Sequence, residues 1–532
     1  MQSLSHLRTS PVFLFGNVAV WAALAIHAGA QNVQHLSVPI AGGLPGIPTV
    51  TAVTPVQGGV KVSWDGPQGY YQLFEAGSWK NPLWWAVGRH TNLVRMEVVP
   101  GASKYNAFAV AGPQANYGGS QSCVACHSPL VHSEAATQHA AAFSDPFFAS
   151  EGGLTNRSCW VCHSVGLNAP TGFVNKKTTP NLAGVQCENC HGPAALHAAN
   201  PLDPTARPRV EIAATVCGGC HQGFNQPTFP EWQSSEHATV TEDMNAPNRI
   251  SNCGRCHSGS ARHALINSLA MPTGDANMGV VCITCHDPHQ KTGHLYQLRY
   301  PQRSTNDYFM PASGAFLSYY NPNINVCGQC HNHAGASWQT TANPPHPSPQ
   351  YNILIGTGGA LDPGTPHSGI SSHGFLITNQ CAGCHMQSAA STATSPAITG
   401  HTFRVERYDI CAKCHVSPEA FAATAMNAAS NRVVNLKLDL DYWAQEKAPA
   451  SLWKKYGKRS WEYSSPGDLS PGGPGPTANE QVKYIPANVR KARYNLYLVL
   501  GDGSFSIHNP HYVNELLDAG EQWLYEEFYP DQ

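Results

Sequence analysis

The sequence predicts a mainly α-helical and irregular fold with a small N-terminal β-sandwich of the fibronectin III or immunoglobulin-like kind, and three observations lead to it. All 18 cysteines fall inside nine Cys-x-x-Cys-His pentapeptides. The chain holds 48 Gly and 41 Pro while only 12 % of its residues are charged, a loop-rich composition. Between Ile47 and Gly112 no Cys occurs, and short alternating apolar and polar runs are broken by turn residues.

The pentapeptides come first because no cysteine is left over. They supply Cys123, Cys126 and His127; Cys159, Cys162 and His163; Cys187, Cys190 and His191; Cys217, Cys220 and His221; and Cys253, Cys256 and His257. Cys282, Cys285 and His286; Cys327, Cys330 and His331; Cys381, Cys384 and His385; and Cys411, Cys414 and His415 complete the set. Two thiols at this spacing reach the two vinyl groups of one porphyrin, and the adjacent His lies under the iron as its proximal ligand. A zinc knuckle needs four ligands from two separated pairs and does not demand a His after every second Cys. A disulfide framework explains the even count but not the nine histidines. The expectation is nine covalent haems c, with the helical and irregular part organised around them. Packed porphyrins then supply the apolar core that so loop-rich a chain would lack.

Residues 1–30 read as a secretory signal peptide: Arg8 in a short polar start, an apolar run from Val12 to Ile26, and Ala28-Gly29-Ala30 for cleavage before Gln31. Haem attachment outside the cytoplasmic membrane requires such a signal. The protein is therefore expected to be secreted, whether periplasmic, extracellular or on the cell surface. No Cys follows the cleavage site and no later segment is apolar enough to span a bilayer, so no membrane anchor is expected. With 31 basic and 33 acidic residues, nothing points to nucleic acid.

The β-sandwich module is placed at 46–112, with strands at Val60 to Trp64, Tyr71 to Phe74, Leu93 to Val99 and Tyr105 to Val110. A nonahaem domain follows at 117–416, its pentapeptides carried on short helices. A C-terminal helical region at 417–532 packs on it. That region reads as an Ala-rich helix from Pro418 to Ser430, an amphipathic segment from Val433 to Gln445, a Pro/Gly linker from Ser465 to Pro476, and helices from Pro486 to Leu500 and Tyr512 to Tyr525.

Distal ligands decide what each iron can do, since an iron with two protein ligands is confined to electron transfer. Of 27 histidines nine are proximal, and His6 and His27 leave with the signal, so sixteen remain for nine irons. Here the chain resembles the multihaem superfamily of ammonia-forming nitrite reductases, hydroxylamine oxidoreductases and related electron-transfer cytochromes. The likeness lies in Thr137-Gln138-His139-Ala140, Glu236-His237-Ala238, CENCHGPAALH ending at His197, CITCHDPH ending at His289, Gly400-His401-Thr402-Phe403, and the segment from Ala492 to Pro510 that contains His508. The resemblance implies that His139, His197, His237, His289, His401 and His508 are distal ligands. His346 and His373 are the next choices by position, and the ninth is open among His132, His263, His294, His333 and His367. His35, His90 and His511 read as ordinary residues.

Two functions fit these residues. One is an electron conduit of mostly bis-His haems in periplasmic or extracellular respiratory transport, its partners redox proteins or further copies of itself in a conductive homopolymer. The other is an enzyme with one open haem acting on a nitrogen or sulfur compound. All nine motifs end in His and none in the Lys typical of the nitrite reductases' catalytic haem, which favours the conduit and leaves no catalytic residue to name.

Overall fold

The computed structural model describes the strands between 49 and 111, residues 116–299 and residues 326–530, apart from short gaps within them. The expected signal peptide, His35 and His294 lie outside the described residues, and of His90 only the backbone is described.

Six strands occupy the N-terminal region: β1 (Thr49–Val56), β2 (Gly59–Asp65), β3 (Tyr71–Ala76), β4 (Trp85–Thr91), β5 (Met96–Pro100) and β6 (Ala107–Ala111). They pair antiparallel in two three-stranded sheets, ordered β1-β2-β5 and β4-β3-β6. Alternation turns Val60, Val62 and Trp64 of β2 to one side, where they form a buried cluster with Leu73 of β3 from the other sheet. Two of the six strands were not expected. β4 carries Gly88, Arg89 and His90, which break the two-residue period, and β1 is unexpected although Gly42-Gly43, Pro45-Gly46 and Pro48 punctuate the chain before it.

From Ser120 to Lys413 the described elements are short helices joined by irregular backbone, as a chain shaped around inserted groups requires. Local chemistry starts them. The Asn156 side chain accepts from Ser158 N–H ahead of the Arg157–His163 helix, and Gln186 and Asn189 form a reciprocal cap on the Cys187–His191 helix.

The C-terminal region differs from expectation in three ways. The two segments foreseen between Pro418 and Gln445 are one helix, Pro418–Glu446, with Pro418 in its first turn. Arg432, at the foreseen break, instead reaches Asp518 at 2.6 Å, Glu521 at 2.9 Å and Asn514 at 3.0 Å on the Pro510–Phe528 helix. The supposed linker after Ser465 is tied down, since Ser464 and Ser465 donate N–H groups to Thr341 and Ala342, and Arg459 holds the carbonyls of Gly472 and Pro474. Finally, this region has a conventional apolar core of its own and does not rely on porphyrins for it. Leu436, Leu440 and Trp443 pack with Val489, Leu496 and Leu516, all at 2 % exposure or less.

Inside that core Arg493 has no exposed surface. Its guanidinium donates to the carbonyls of Trp461 and Glu462 and to Gln481, and stacks 3.9 Å from the Tyr463 ring centre. The turn that follows the Ala487–Asp502 helix is left-handed at Gly503 (φ 70°), Phe505 (φ 45°) and Ser506 (φ 84°). Two non-glycine residues in that region store strain, and the turn delivers His508 back toward the haem motifs.

Candidate haem sites

A helical turn brings the two cysteines of a pentapeptide to one face and sets the following His beside them. Several of the nine proximal rings are then oriented by a carbonyl. His163 Nδ1 donates to Ala142 O at 2.9 Å, His286 Nδ1 to Tyr296 O at 2.7 Å and His385 Nδ1 to Phe403 O at 2.9 Å. A proton fixed on Nδ1 leaves the Nε2 lone pair for a metal.

Seven of the nine proximal rings face a second histidine. The ring centres lie 6.1 Å apart for His221 and His139, 6.0 Å for His191 and His289, 6.0 Å for His331 and His237, and 5.8 Å for His257 and His346. They lie 6.2 Å apart for His286 and His401, 6.0 Å for His415 and His373, and 6.2 Å for His385 and His508. Each pair combines one pentapeptide histidine with one from elsewhere. A metal–imidazole bond of about 2 Å on each side, with the ring nitrogen about 1 Å from its ring centre, sets two axial rings about 6 Å apart. The residues present therefore fit a haem iron between each pair. Ring planes inclined at 9° to 72° are compatible, because rotation about the axis leaves the bonds unchanged.

His197, expected as a distal ligand, faces no proximal ring at this distance. It sits on the Ala195–Ala199 helix, which packs on the turn Ser120–Cys123 that opens the first pentapeptide, and its Nδ1 is buried with no partner among the described residues. His127 and His163 likewise face no second histidine among the described residues, and His163 stacks on Phe148 at 4.1 Å. Of the candidates for the ninth position, His132 meets Ser128, His263 meets Asn267, His333 accepts from Gly335 N–H, and His367 lies 6.5 Å from the Tyr512 ring. His511 is exposed.

Residues 122–192 match the family of cytochrome c554 and c-prime. The chain is 26 % identical over 369 residues to the C-type polyheme cytochrome OmcB of Geobacter sulfurreducens, covering 58 % of this chain and 45 % of OmcB. It is also 26 % identical over 194 residues to the multiheme cytochrome MtrA of Shewanella baltica, covering 33 % of this chain and 52 % of MtrA. The chain thus spans about half the length of these curated relatives or less. Among solved structures, the outer cell wall cytochrome OcwA aligns with a TM-score of 0.50 over 77 % of this chain and 99 % of its own, at 18 % identity, a likeness of fold. This chain is a multihaem c-type cytochrome.

Covalent haem c thus accounts for the cysteine pairs, and the sulfurs of the cytochrome's separate motifs meet. Cys123 contacts Cys187, Cys162 contacts Cys220, Cys217 contacts Cys282, Cys256 contacts Cys330, and Cys327 contacts Cys381. Cys190 lies near Cys220, Cys285 near Cys330, and Cys384 near Cys411. Each of these atoms is a thioether sulfur once a porphyrin is attached. Contacts and near approaches together link all nine motifs, with the first, third, fourth, sixth, seventh, eighth and ninth in line, the second beside the fourth and the fifth beside the seventh.

Burial favours the neutral imidazole at several of the cytochrome's paired histidines, the form that metal ligation requires. His139, His237 and His286 are each lowered to about 4, by burial first and then by the facing imidazole. Two carboxylates that sequence reasoning missed hold paired histidines from outside the pentapeptides. Glu231 accepts from Thr399 N–H at 2.9 Å and from His401 N–H at 2.8 Å. Asp502 accepts from His508 Nδ1–H at 2.6 Å. Neither carries a motif signal, because each acts from an element remote from the histidine it serves or across a turn. Gly400 (φ 77°) admits no side chain, since a Cβ there would stand 2.6 Å from Met386 Cα.

Proposed function

We propose that the protein relays electrons through nine covalently bound haems c, in periplasmic or extracellular respiratory transport, between redox partners or along further copies of itself. The seven facing histidine pairs, each with one pentapeptide member, carry this reading. Bound there, haem supplies a one-electron couple that two strong-field imidazoles hold closed to exogenous ligands. His139, His237, His289, His346, His373, His401 and His508 are the sixth ligands in this reading, and His197 serves the iron of His127. The sulfur network supports close packing of neighbouring groups along the whole haem region, 117–416. Residues 46–112, with two sheets sharing one buried cluster, form a sandwich module, and 417–532 brace the last motifs. Among the described residues no helix is long and apolar enough to cross a membrane.

Intact-mass spectrometry tests the count: a mature chain from Gln31 carrying nine haems is expected, and eight or fewer would overturn it. Potentiometric titration should spread well beyond one one-electron wave, because closely packed charged groups shift one another's potentials.

A second reading keeps an open iron. His163 has no facing histidine among the described residues, so the site of Cys159 and Cys162 is where a small nitrogen or sulfur compound would bind. A five-coordinate signal together with fast turnover of nitrite or hydroxylamine would favour it over the pure conduit.

A further inference from the structure

The turn that returns His508 toward the eighth pentapeptide also delivers a buried acid. The Asp502 side chain has no exposed surface, and His508 Nδ1 donates to its Oδ1 at 2.6 Å. Its other oxygen takes the Ser504 hydroxyl, and Ser504 Oγ in turn accepts the main-chain N–H of His508 at 3.1 Å. His163, His286, His373 and His385 give their Nδ1–H to main-chain carbonyls instead. A carbonyl is a neutral acceptor. Asp502 is a formal negative charge in a dry site, and its described partners are a hydroxyl, a main-chain N–H and an imidazole, with no Lys or Arg.

We propose that Asp502 is a positioning residue that sets the potential of the haem attached at Cys381 and Cys384, by giving the axial His508 imidazolate character. This rests on the reading of His385 and His508 as the axial pair. A carboxylate drawing the Nδ1 proton raises the basicity of Nε2, a stronger donor favours ferric over ferrous iron, and the buried negative charge acts in the same direction. The one-electron couple of that haem therefore sits lower than that of an equivalent site with a carbonyl acceptor. Ser504 holds the second oxygen of the carboxylate, and the left-handed conformations at Phe505 and Ser506 are the strain that brings acid and ring together.

The test is spectroelectrochemistry of the full haem-loaded chain with Asp502→Asn. One ninth of the haem absorbance change should move to higher potential while the ferric spectrum stays low-spin. An unmoved titration with ligation intact overturns the proposal. A His508→Ala variant separates the underlying reading: if it stays fully low-spin, the axial assignment itself fails. Should Asp502→Asn not fold, near-infrared magnetic circular dichroism of the oxidised wild type decides, since one bis-His charge-transfer band should be displaced toward the imidazolate position. Coincident bands for all low-spin haems would sink the idea.

Discussion

The Glu231 carboxylate accepts the main-chain N–H of His401 at 2.8 Å while it holds Thr399 by both N–H and hydroxyl. It thus pins the loop whose histidine faces His286, although the two residues belong to distant parts of the chain. Hydrogen bonds to a charged acceptor contribute about 1.5–3 kcal/mol each. Glu231→Ala should release the loop and convert part of one haem to high spin, read in the ferric Soret and electron paramagnetic resonance spectra. Glu231→Gln should do so less. Unaltered spectra in both variants would mean that the backbone around Gly400 holds His401 unaided.

His197 and His508 make a contrasting pair. His508→Ala should turn one haem in nine high-spin, because its ring stands 6.2 Å from His385. His197→Ala should do the same at the first pentapeptide, since the buried, unpartnered Nδ1 belongs to a helix packed on that motif. A wild type already showing a high-spin fraction, and unchanged by His197→Ala, would instead leave the iron of His127 without this ligand.

Stability should fall as pH rises from about 4.5 to about 7, and Glu134 is a named source. Burial raises its carboxyl to about 7, and its Oε1 has no partner among the described residues. A raised carboxyl binds more protons folded than unfolded across that window, so its contribution is present below the unfolded pKa and lost as pH climbs through the folded one, on the order of 3 kcal/mol. Urea unfolding of Glu134→Gln against wild type at several pH values should show a weaker slope in the variant. Parallel slopes would remove Glu134 as the cause.

Arg493 should be the costliest single truncation in the C-terminal core. Its loss leaves Gln481 and two carbonyls without their donor and empties the space beside Tyr463. Arg493→Ala should cost about 3–5 kcal/mol in chemical unfolding, with the haem spectra of the first six motifs unaffected. A loss under about 1 kcal/mol would show that water or neighbouring groups replace the guanidinium.

The Cys-x-x-Cys-His motif is local: it sets two sulfurs and an imidazole within one helical turn, so the candidate attachment residues from Cys123 to His415 stand in the sequence itself. The C-terminal helices were legible in part for the same reason, since Pro418 and Pro486 mark two of their starts and the apolar period marks their buried faces, although the last helix begins at Pro510 and not at the expected Tyr512. Ligand pairing is of a different kind. Nothing near His139 says that it faces His221, or near His373 that it faces His415 past the eighth motif, because each pair closes only when remote loops fold together. The composition also concealed that the C-terminal region buries its own Leu, Trp and Tyr core, and that the segment from Ser465 is held by Thr341 and Ala342. Chain chemistry over a few residues decided which groups can bind haem; three-dimensional packing of residues far apart in sequence decided which histidine meets which, and through Glu231 and Asp502 how each is held.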